Sequence, residues 1–384
     1  MKLTILGASG SVGQSTALVV EQQKDEIEVE ALVGGSNARI LAETARRLNA
    51  KFAVLADETR GQELKEYLSG TGILCASGGK AVEEAVDREC DTVLAAIGGV
   101  AGLKPTYRAL RAGRRIALAN KESLVCAGGA FMREARRLEV PILPVDSEHN
   151  ALAQALSAGK REDLVSAVLT ASGGPFRDWP YERIITATPE EASAHPVWSM
   201  GQKINIDSAS LMNKGLELIE AHHLFSLPPE KLDAIVHPQS VVHALAQWRD
   251  GAWTAELAIP DMQIPIANAL AQERRFSLSL PPLDLIARAP LSFEKIDEKR
   301  FPCFSLARQA LLNGGGMPTI LNAANEMAVG AFLKGQLSFG SIASLIEKVC
   351  LSLTAYEMRQ PETVDEALAL DEQARMVAKS ILKH

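Results

Sequence analysis

The chain has 384 residues, 47% hydrophobic and 23% charged, with a formal net charge of -7. Its length exceeds what a single hydrophobic core sustains, so two or three domains are expected, and its composition excludes disorder. The negative balance is opposite in sign to the field a nucleic-acid binder needs, which argues against that partner.

The cysteines Cys75, Cys90, Cys126, Cys303 and Cys350 are odd in number and widely spaced, without a C-x-x-C pair, and read as reduced, buried thiols. The N-terminus passes from Lys2 into Leu3-Thr4-Ile5-Leu6 and a glycine loop, leaving no room for a secretory apolar region. No run of about 18 apolar residues occurs, so a cytoplasmic location without membrane contact is expected.

Through residue 146, short apolar runs at 3–6, 29–33, 52–56, 73–76, 92–97, 116–119 and 142–145 alternate with helical patterns. This alternation predicts βαβ units on a parallel sheet. Gly7-Ala8-Ser9-Gly10-Ser11-Val12-Gly13 follows the first run and opens a helix through Leu18, Val19 and Val20. Glycines there let the backbone approach a pyrophosphate, and the N–H groups of the helix N-terminus favour the anion. The spacing is G-x-x-G-x-x-G; a tight turn without ligand is the alternative. After the second run the chain reads Gly34-Gly35-Ser36-Asn37-Ala38-Arg39, without the acid that would hold the ribose 2′-hydroxyl of NAD. Glu30 lies too early to serve, so NADPH is favoured.

Asp146-Ser147-Glu148 follows the run at 142–145. In an extended segment, residues two apart point the same way, which would aim both carboxylates at one point. Hard oxygen ligands without clustered Cys or His select Mg²⁺ or Mn²⁺, with a solvated acidic turn as the alternative. A domain boundary is placed after 146.

Strand patterns at 165–170, 243–248 and 253–258, the last two flanking Arg249-Asp250-Gly251-Ala252, predict an α+β domain over 147–280 with a hairpin. Within it, Gly173-Gly174-Pro175 leads through polar residues to His195-Pro196-Val197-Trp198, a lid over 173–205 with a capping box at Thr188-Pro189-Glu190-Glu191. Asp207 to Glu217 is read as the opening of a helix reaching Leu224, with Asn213 and Glu217 on one face. Ser208, Asn213 and Lys214 suit a phosphate monoester; a capped surface helix is the alternative. Pro281, Pro282, Pro290 and the charges that follow mark 281–299 as a linker. Helical patterns at 304–312, 319–333, 339–351 and 364–382 predict a terminal bundle over 300–384.

Leu118-Ala119-Asn120-Lys121-Glu122-Ser123-Leu124-Val125, Pro144-Val145-Asp146-Ser147-Glu148-His149-Asn150, His195-Pro196-Val197-Trp198-Ser199-Met200-Gly201 and the segment from Asp207 to Glu217 resemble signature segments of the 1-deoxy-D-xylulose 5-phosphate reductoisomerase family. His237-Pro238-Gln239-Ser240 and Pro260-Asp261-Met262 extend the resemblance over essentially the whole chain. It implies an α/β architecture of three parts: a Rossmann-like parallel sheet for NADPH, a central α+β catalytic and dimerisation domain, and a C-terminal helical bundle. It further implies that Asp146, Glu148 and Glu217 hold a divalent metal (Mg²⁺, Mn²⁺ or Co²⁺). Ser147 and Lys121 would meet the substrate hydroxyls, and Ser172, His195, Ser208, Asn213 and Lys214 the sugar and its phosphate. Trp198 would cover the substrate. Lys121, Glu148 and His195 are the catalytic candidates, with Glu148 handling a proton as well as the metal and a metal-bound hydroxide or water as the alternative.

The cofactor would touch Ser9, Gly10, Ser11, Val12, Gly35, Ser36, Asn37, Asn120, Glu122 and Gly201. Many members of the family carry a basic residue where Ser36 stands here, and Arg39 is the substitute suggested by the sequence. His222 and His223 diverge on a helix and read as packing or surface groups, whereas His149 and His243 would support the site from behind. The implied activity is the NADPH-dependent rearrangement and reduction of 1-deoxy-D-xylulose 5-phosphate to 2-C-methyl-D-erythritol 4-phosphate in the non-mevalonate isoprenoid pathway, carried out by a homodimer. The rival readings are a different NADPH reductase acting on an aldose or semialdehyde, and a dinucleotide-sensing regulator. The regulator would need a basic recognition module that the sequence does not offer.

Overall fold

The seven apolar runs of the first 146 residues form strands β1 (Lys2–Leu6), β2 (Glu28–Gly34), β3 (Phe52–Leu55), β4 (Leu74–Ser77), β5 (Thr92–Ala95), β6 (Arg115–Leu118) and β7 (Ile142–Pro144). In the computed structural model, which describes residues 1–198, 201–271, 274–353 and 359–383, they build one sheet in the order β4-β3-β2-β1-β5-β6-β7. Every pairing is parallel. Continuous apolar runs suit such a sheet because helices cover both faces, and β3 and β5 are buried along their whole length. The chain steps from β1 out to β4 and returns to β5 on the other side of β1. This switch of direction opens a crevice at the carboxyl ends of β1 and β5, where open α/β sheets bind ligands.

The first compact unit comprises residues 1–123, 133–150 and 261–281. Its core joins Leu3, Ile5, Leu32, Leu55 and Leu94 with Ile266 and Leu270. Those last two correct the boundary expected at 280, because they lie on the helix Gln263–Ala271 and are buried against the parallel-sheet unit. Gln22 fastens this return, donating from Nε2 to Gln263 Oε1 at 2.9 Å and accepting from the Ser279 N–H at 2.6 Å.

The second unit comprises residues 124–132, 151–260 and 282–384. Its sheet contains β8 (Leu164–Ala171), β9 (Leu232–Val236), β10 (Val242–Trp248), β11 (Trp253–Leu257) and β12 (Glu294–Lys295), in the order β11-β10-β8-β9-β12. β8 and β9 are parallel and the remaining pairs antiparallel. The expected hairpin joins β10 and β11: Gly251 turns at φ +89° and the Trp248 N–H donates to Ala252 O at 2.9 Å. β9 and β12 are additions to the sequence reading. β12 makes 281–299 more than a connector, since Glu294 and Lys295 pair with Val236 and Ile235.

The helices Pro302–Asn313, Met317–Leu333, Ser341–Ser352 and Val364–Leu382 form as expected but are not a separate bundle. Phe304, Ile320 and Phe332 share one core with Leu169 of β8, Phe176 and Leu216, so residues 300–384 and the central sheet form a single unit. A terminal array with apolar residues on several faces needs a second surface to bury them, and the sheet supplies it. Among the described residues no helix is long and apolar enough to cross a membrane.

Candidate active site

On the first unit, the loop after β1 brings backbone rather than side chains to the sheet edge. Gly7 turns at φ +91°, with its N–H and that of Ala8 both donating to Val33 O at 2.8 Å. A Cβ on Gly7 would overlap the Ala96 carbonyl, and one on Gly13 would overlap the Gly7 carbonyl. Gly10 caps the helix Ser11–Gln22 with extended backbone and no side-chain hydrogen bond. Ser9, Gly10, Ser11 and Val12 are therefore at least partly exposed around a helix N-terminus that no side chain fills, a fit for a diphosphate.

Gly35, Ser36 and Asn37 follow β2 and are exposed, and the Asn37 side chain caps the helix Ala38–Arg47 by accepting the Ile40 N–H at 3.1 Å. Glu30 is structural: it pairs with Arg88 at 2.7 Å and Lys51 at 3.2 Å, and these hydrogen-bonded cations hold its carboxyl below the usual range against the opposing effect of burial. Arg39 pairs along its own helix with Glu43 at 2.9 Å. A different arginine reaches the loop. Arg60 donates from Nη1 to Ser36 O at 2.9 Å, a contact 24 positions apart that sequence reasoning missed.

Asn120, buried at the end of β6, donates through Nδ2 to Ile97 O at 2.6 Å, Gly99 O at 3.0 Å and Glu122 Oε2 at 3.0 Å. It locks the loop after β5 to the start of the helix Glu122–Arg137. Next to it, the buried Lys121 places Nζ 2.7 Å from Asp146 Oδ2.

The expected geometry of Asp146-Ser147-Glu148 needs correction. The strand ends at Pro144 and a helix, Ser147–Leu156, begins immediately, with the Asn150 N–H donating to Asp146 O at 2.9 Å. The two carboxylates thus belong to the cap and first turn of a helix rather than to alternate positions of a strand. Asn150 fixes this turn from behind, donating to Pro144 O at 2.9 Å and Asn268 Oδ1 at 3.0 Å. Ser147 Oγ donates to Glu148 Oε2 at 2.6 Å, and His149 is fully buried behind them.

On the second unit, Ser172 leaves the end of β8 and its Oγ lies 2.9 Å from His195 Nε2. The Val197 and Trp198 N–H groups donate to His195 Nδ1 at 3.2 and 2.8 Å, so the ring proton sits on Nε2 and is directed at Ser172. Burial lowers the His195 pKa to about 4. Gly173 and Gly174 turn at φ +86° and +67°, and a Cβ on Gly174 would lie 2.7 Å from the Ser208 carbonyl. The glycine turn thereby lets Ser172 sit against the helix that carries Ser208. The capping box at Thr188 and Glu191 is present in full. Trp198 packs edge-on to His243 at 6.3 Å, while Ser199 and Met200 of the lid segment lie outside the described residues.

Asp207 to Glu217 form two helices rather than the opening of one. Gln202–Ala209, capped by the exposed Gly201, ends before Leu211, which turns left-handed at φ +57°, and Met212–Phe225 begins. Asp207 and Ser208 close the first helix; Asn213, Lys214 and Glu217 open the second. Asn213 Nδ2 and the Lys214 ammonium each donate to one carboxylate oxygen of Glu217, and both Lys214 and Glu217 are buried. Asp207, also buried, accepts from Lys203 Nζ and Asn325 Nδ2, both at 2.8 Å, and so ties the first helix to Met317–Leu333. This support was not visible in sequence. His222 and His223 take packing roles: His222 bonds Leu227 O at 2.7 Å, and the His223 ring occupies the place of a side chain on Gly128, with burial lowering its pKa to about 3.

Three family descriptions match the chain: 1-deoxy-D-xylulose 5-phosphate reductoisomerase over residues 3–128, its C-terminal domain over 142–225, and the DXP reductoisomerase C-terminal domain over 257–377. The chain is 49% identical over 381 residues to the 1-deoxy-D-xylulose 5-phosphate reductoisomerase of Bradyrhizobium sp. (strain ORS 278), covering 99% of this chain and 94% of that one. It is 49% identical over 379 residues to that of Gluconobacter oxydans (strain 621H), covering 99% and 92%. Among solved structures, the reductoisomerase from Zymomonas mobilis in complex with NADPH aligns with a TM-score of 0.92 at 43% identity over 99% of this chain and 98% of that one. A DOX-P reductoisomerase in complex with NADPH, fosmidomycin and magnesium aligns at 0.94 and 39% identity over 100% and 98%. The chain belongs to the 1-deoxy-D-xylulose 5-phosphate reductoisomerase family.

Proposed function

We propose that this protein converts 1-deoxy-D-xylulose 5-phosphate to 2-C-methyl-D-erythritol 4-phosphate, with NADPH as reductant and Mg²⁺, Mn²⁺ or Co²⁺ as the metal. The observation that carries the reading is the matching of Asp146 with Lys121 at 2.7 Å and of buried Glu217 with Lys214. The two ammonium groups answer negative charge that is poorly solvated, and a divalent ion, which hard oxygen donors suit, would add to that neutralisation. Asp146, Glu148 and Glu217 are the proposed ligands. Cofactor binding is assigned to Ser9, Gly10, Ser11, Val12, Gly35, Ser36, Asn37, Asn120, Glu122 and Gly201. Relatives with solved structures bind NADPH and magnesium, which supports both assignments.

When bound, the metal polarises substrate oxygens and NADPH supplies a hydride. The protein's own groups do the rest. Lys214, Asn213, Ser208 and Ser172 hold the phosphate, with neutral His195 orienting the Ser172 hydroxyl through its Nε2–H. The Lys121 ammonium and Ser147 hydroxyl orient the sugar hydroxyls. Glu148 takes the hydroxyl proton as the C3–C4 bond breaks in a retro-aldol step, and the fragments rejoin as a branched aldehyde for reduction. Trp198 and the segment 173–205 exclude water from that aldehyde.

We assign cofactor binding to the parallel-sheet unit, dimerisation to the sheet of the second unit, and a supporting role to the helices of 300–384 packed on that sheet. A homodimer is supported by β11, the edge strand of its sheet, which exposes Trp253, Ala255 and Leu257 on one face. Light scattering at twice the chain mass is the expected result. A cytoplasmic location suits the water-soluble phosphorylated substrate.

The test is incubation with 1-deoxy-D-xylulose 5-phosphate, NADPH and Mg²⁺, followed by absorbance and product NMR. A branched carbon skeleton is expected. A reduced but unbranched product would replace this reading with that of a simple NADPH reductase.

A further inference from the structure

We infer that Arg60 supplies the cationic contact to the adenosine 2′-phosphate of NADPH and sets this protein's preference for NADPH over NADH. The inference rests on the NADPH reading above. After β2, Ser36 stands where many members of the family carry a basic residue, and it carries no charge. Arg39 lies close in sequence, but its side-chain hydrogen bond runs along its own helix to Glu43 at 2.9 Å, and among the described residues none ties it to the loop at 35–37. Arg60 is brought in from the next crossover. The ladder between β2 and β3 continues past the strands, with the Ala56 N–H donating to Gly34 O at 2.8 Å and the Asp57 N–H to Gly35 O at 3.0 Å. Asp57 then accepts the Thr59 N–H at 3.0 Å and turns the chain, so that Arg60 Nη1 meets Ser36 O at 2.9 Å.

The guanidinium is positioned and still available. Glu63 accepts from Nε at 2.8 Å and from Nη2 at 2.9 Å, and Ser36 O accepts from Nη1, which engages three of the five N–H groups an arginine carries. The other two remain for an anion, and the side chain is 45% exposed. Of the acids in this segment, Glu43 is paired with Arg39 and Glu63 with Arg60, while Asp57 keeps its charge and is turned to the Thr59 N–H and hydroxyl. A planar, charged fork held at the end of β2 suits a phosphate monoester and has nothing comparable to bind on a ribose hydroxyl.

The experiment measures dissociation constants for NADPH, NADH and 2′,5′-ADP on the full-length protein, by nucleotide fluorescence and calorimetry, with thermal melting as the check on folding. Arg60→Ala and Arg60→Gln should each weaken NADPH and 2′,5′-ADP by about tenfold or more, the loss of a charge-assisted contact, while changing NADH less than twofold. Ser36→Arg in the Arg60→Ala background should restore NADPH binding. Equal weakening of NADPH and NADH, or no weakening of NADPH in either variant, would overturn the assignment to Arg60. If the wild-type protein bound neither dinucleotide, it is the cofactor reading that would fall.

Discussion

Ser172 Oγ and His195 Nε2 lie 2.9 Å apart, and the geometry around Nδ1 makes His195 the donor. With its pKa lowered to about 4 by burial, His195 is neutral throughout the physiological range. It serves as a hydrogen-bond donor, not as a proton shuttle near neutrality. His195→Gln, which keeps a donor, should therefore raise KM for the ketose phosphate by only about twofold, and His195→Ala by up to about tenfold, since a hydrogen bond between neutral partners is worth about 0.5–1.5 kcal/mol. Neither variant should remove an ionisation from the kcat profile between pH 5 and 8. Loss of a limb near pH 6.5 in His195→Gln would show that the ring does titrate in turnover.

His223 links the fold to acid stability. Burial lowers its pKa to about 3, below the usual value of 6.5. The unfolded chain therefore binds the proton first on acidification. The stability associated with a neutral His223 is fully present above about pH 6.5 and is lost progressively as pH falls toward 3. Urea unfolding should show a declining free energy over this window, less steep in His223→Gln than in the wild type. Parallel pH dependences for the two proteins would refute a buried neutral ring at this position.

Much of this architecture was legible because burial leaves a strong trace. Runs such as Phe52-Ala53-Val54-Leu55 and Thr92-Val93-Leu94-Ala95 can hardly be anything but strands between helical layers. The errors arose where local sequence underdetermines the backbone. Nothing in Asp146-Ser147-Glu148 distinguishes the last residues of a strand from the first turn of a helix, and Asn150 and Asn268, which hold the turn, are 118 positions apart. Leu211 adopts a left-handed conformation that residues other than glycine and asparagine seldom take, so the break between two helices was hidden inside an apparently continuous pattern. Ile266 and Leu270 announce that they will be buried but not in which unit. Arg60 was missed because its role depends on the register of β2 against β3, which periodicity alone does not supply.

The cysteines should be dispensable. Burial raises Cys303 to about 12 and Cys350 to about 11, and it also pushes up Cys90, so little reactive thiolate exists at these three near neutrality. Cys126 accepts a weak hydrogen bond from Asn322 at 3.4 Å within the core. Treatment of the native protein with iodoacetamide should leave kcat within about twofold, as should single Ala or Ser replacements in protein that remains folded. A well-folded but inactive Cys126→Ser or Cys75→Ser variant would expose a nucleophile that the geometry does not suggest.

Glu217 offers a way to separate the two chemical steps. Its carboxylate is buried and its oxygens accept from Asn213 and Lys214, so Glu217→Gln removes a negative charge while nearly preserving shape. The substitution should weaken Mg²⁺ binding and slow rearrangement of the ketose phosphate by roughly a thousandfold, because the enolate formed on C3–C4 cleavage loses several kcal/mol of charge stabilisation. Chelation of the metal from the wild-type enzyme should do the same. Reduction develops less charge and depends more on positioning, so supplying 2-C-methylerythrose 4-phosphate directly should bypass part of the defect. The wild-type holoenzyme should reduce this aldehyde to the same product it forms from the ketose phosphate, and Glu217→Gln should retain a larger share of that activity than of the full reaction. Stopped-flow absorbance of NADPH with product NMR reads both. If the wild-type enzyme turns over the ketose phosphate but leaves the aldehyde untouched, the aldehyde is not an intermediate, and the order of rearrangement before reduction must be given up even though the ligands and cofactor site would stand.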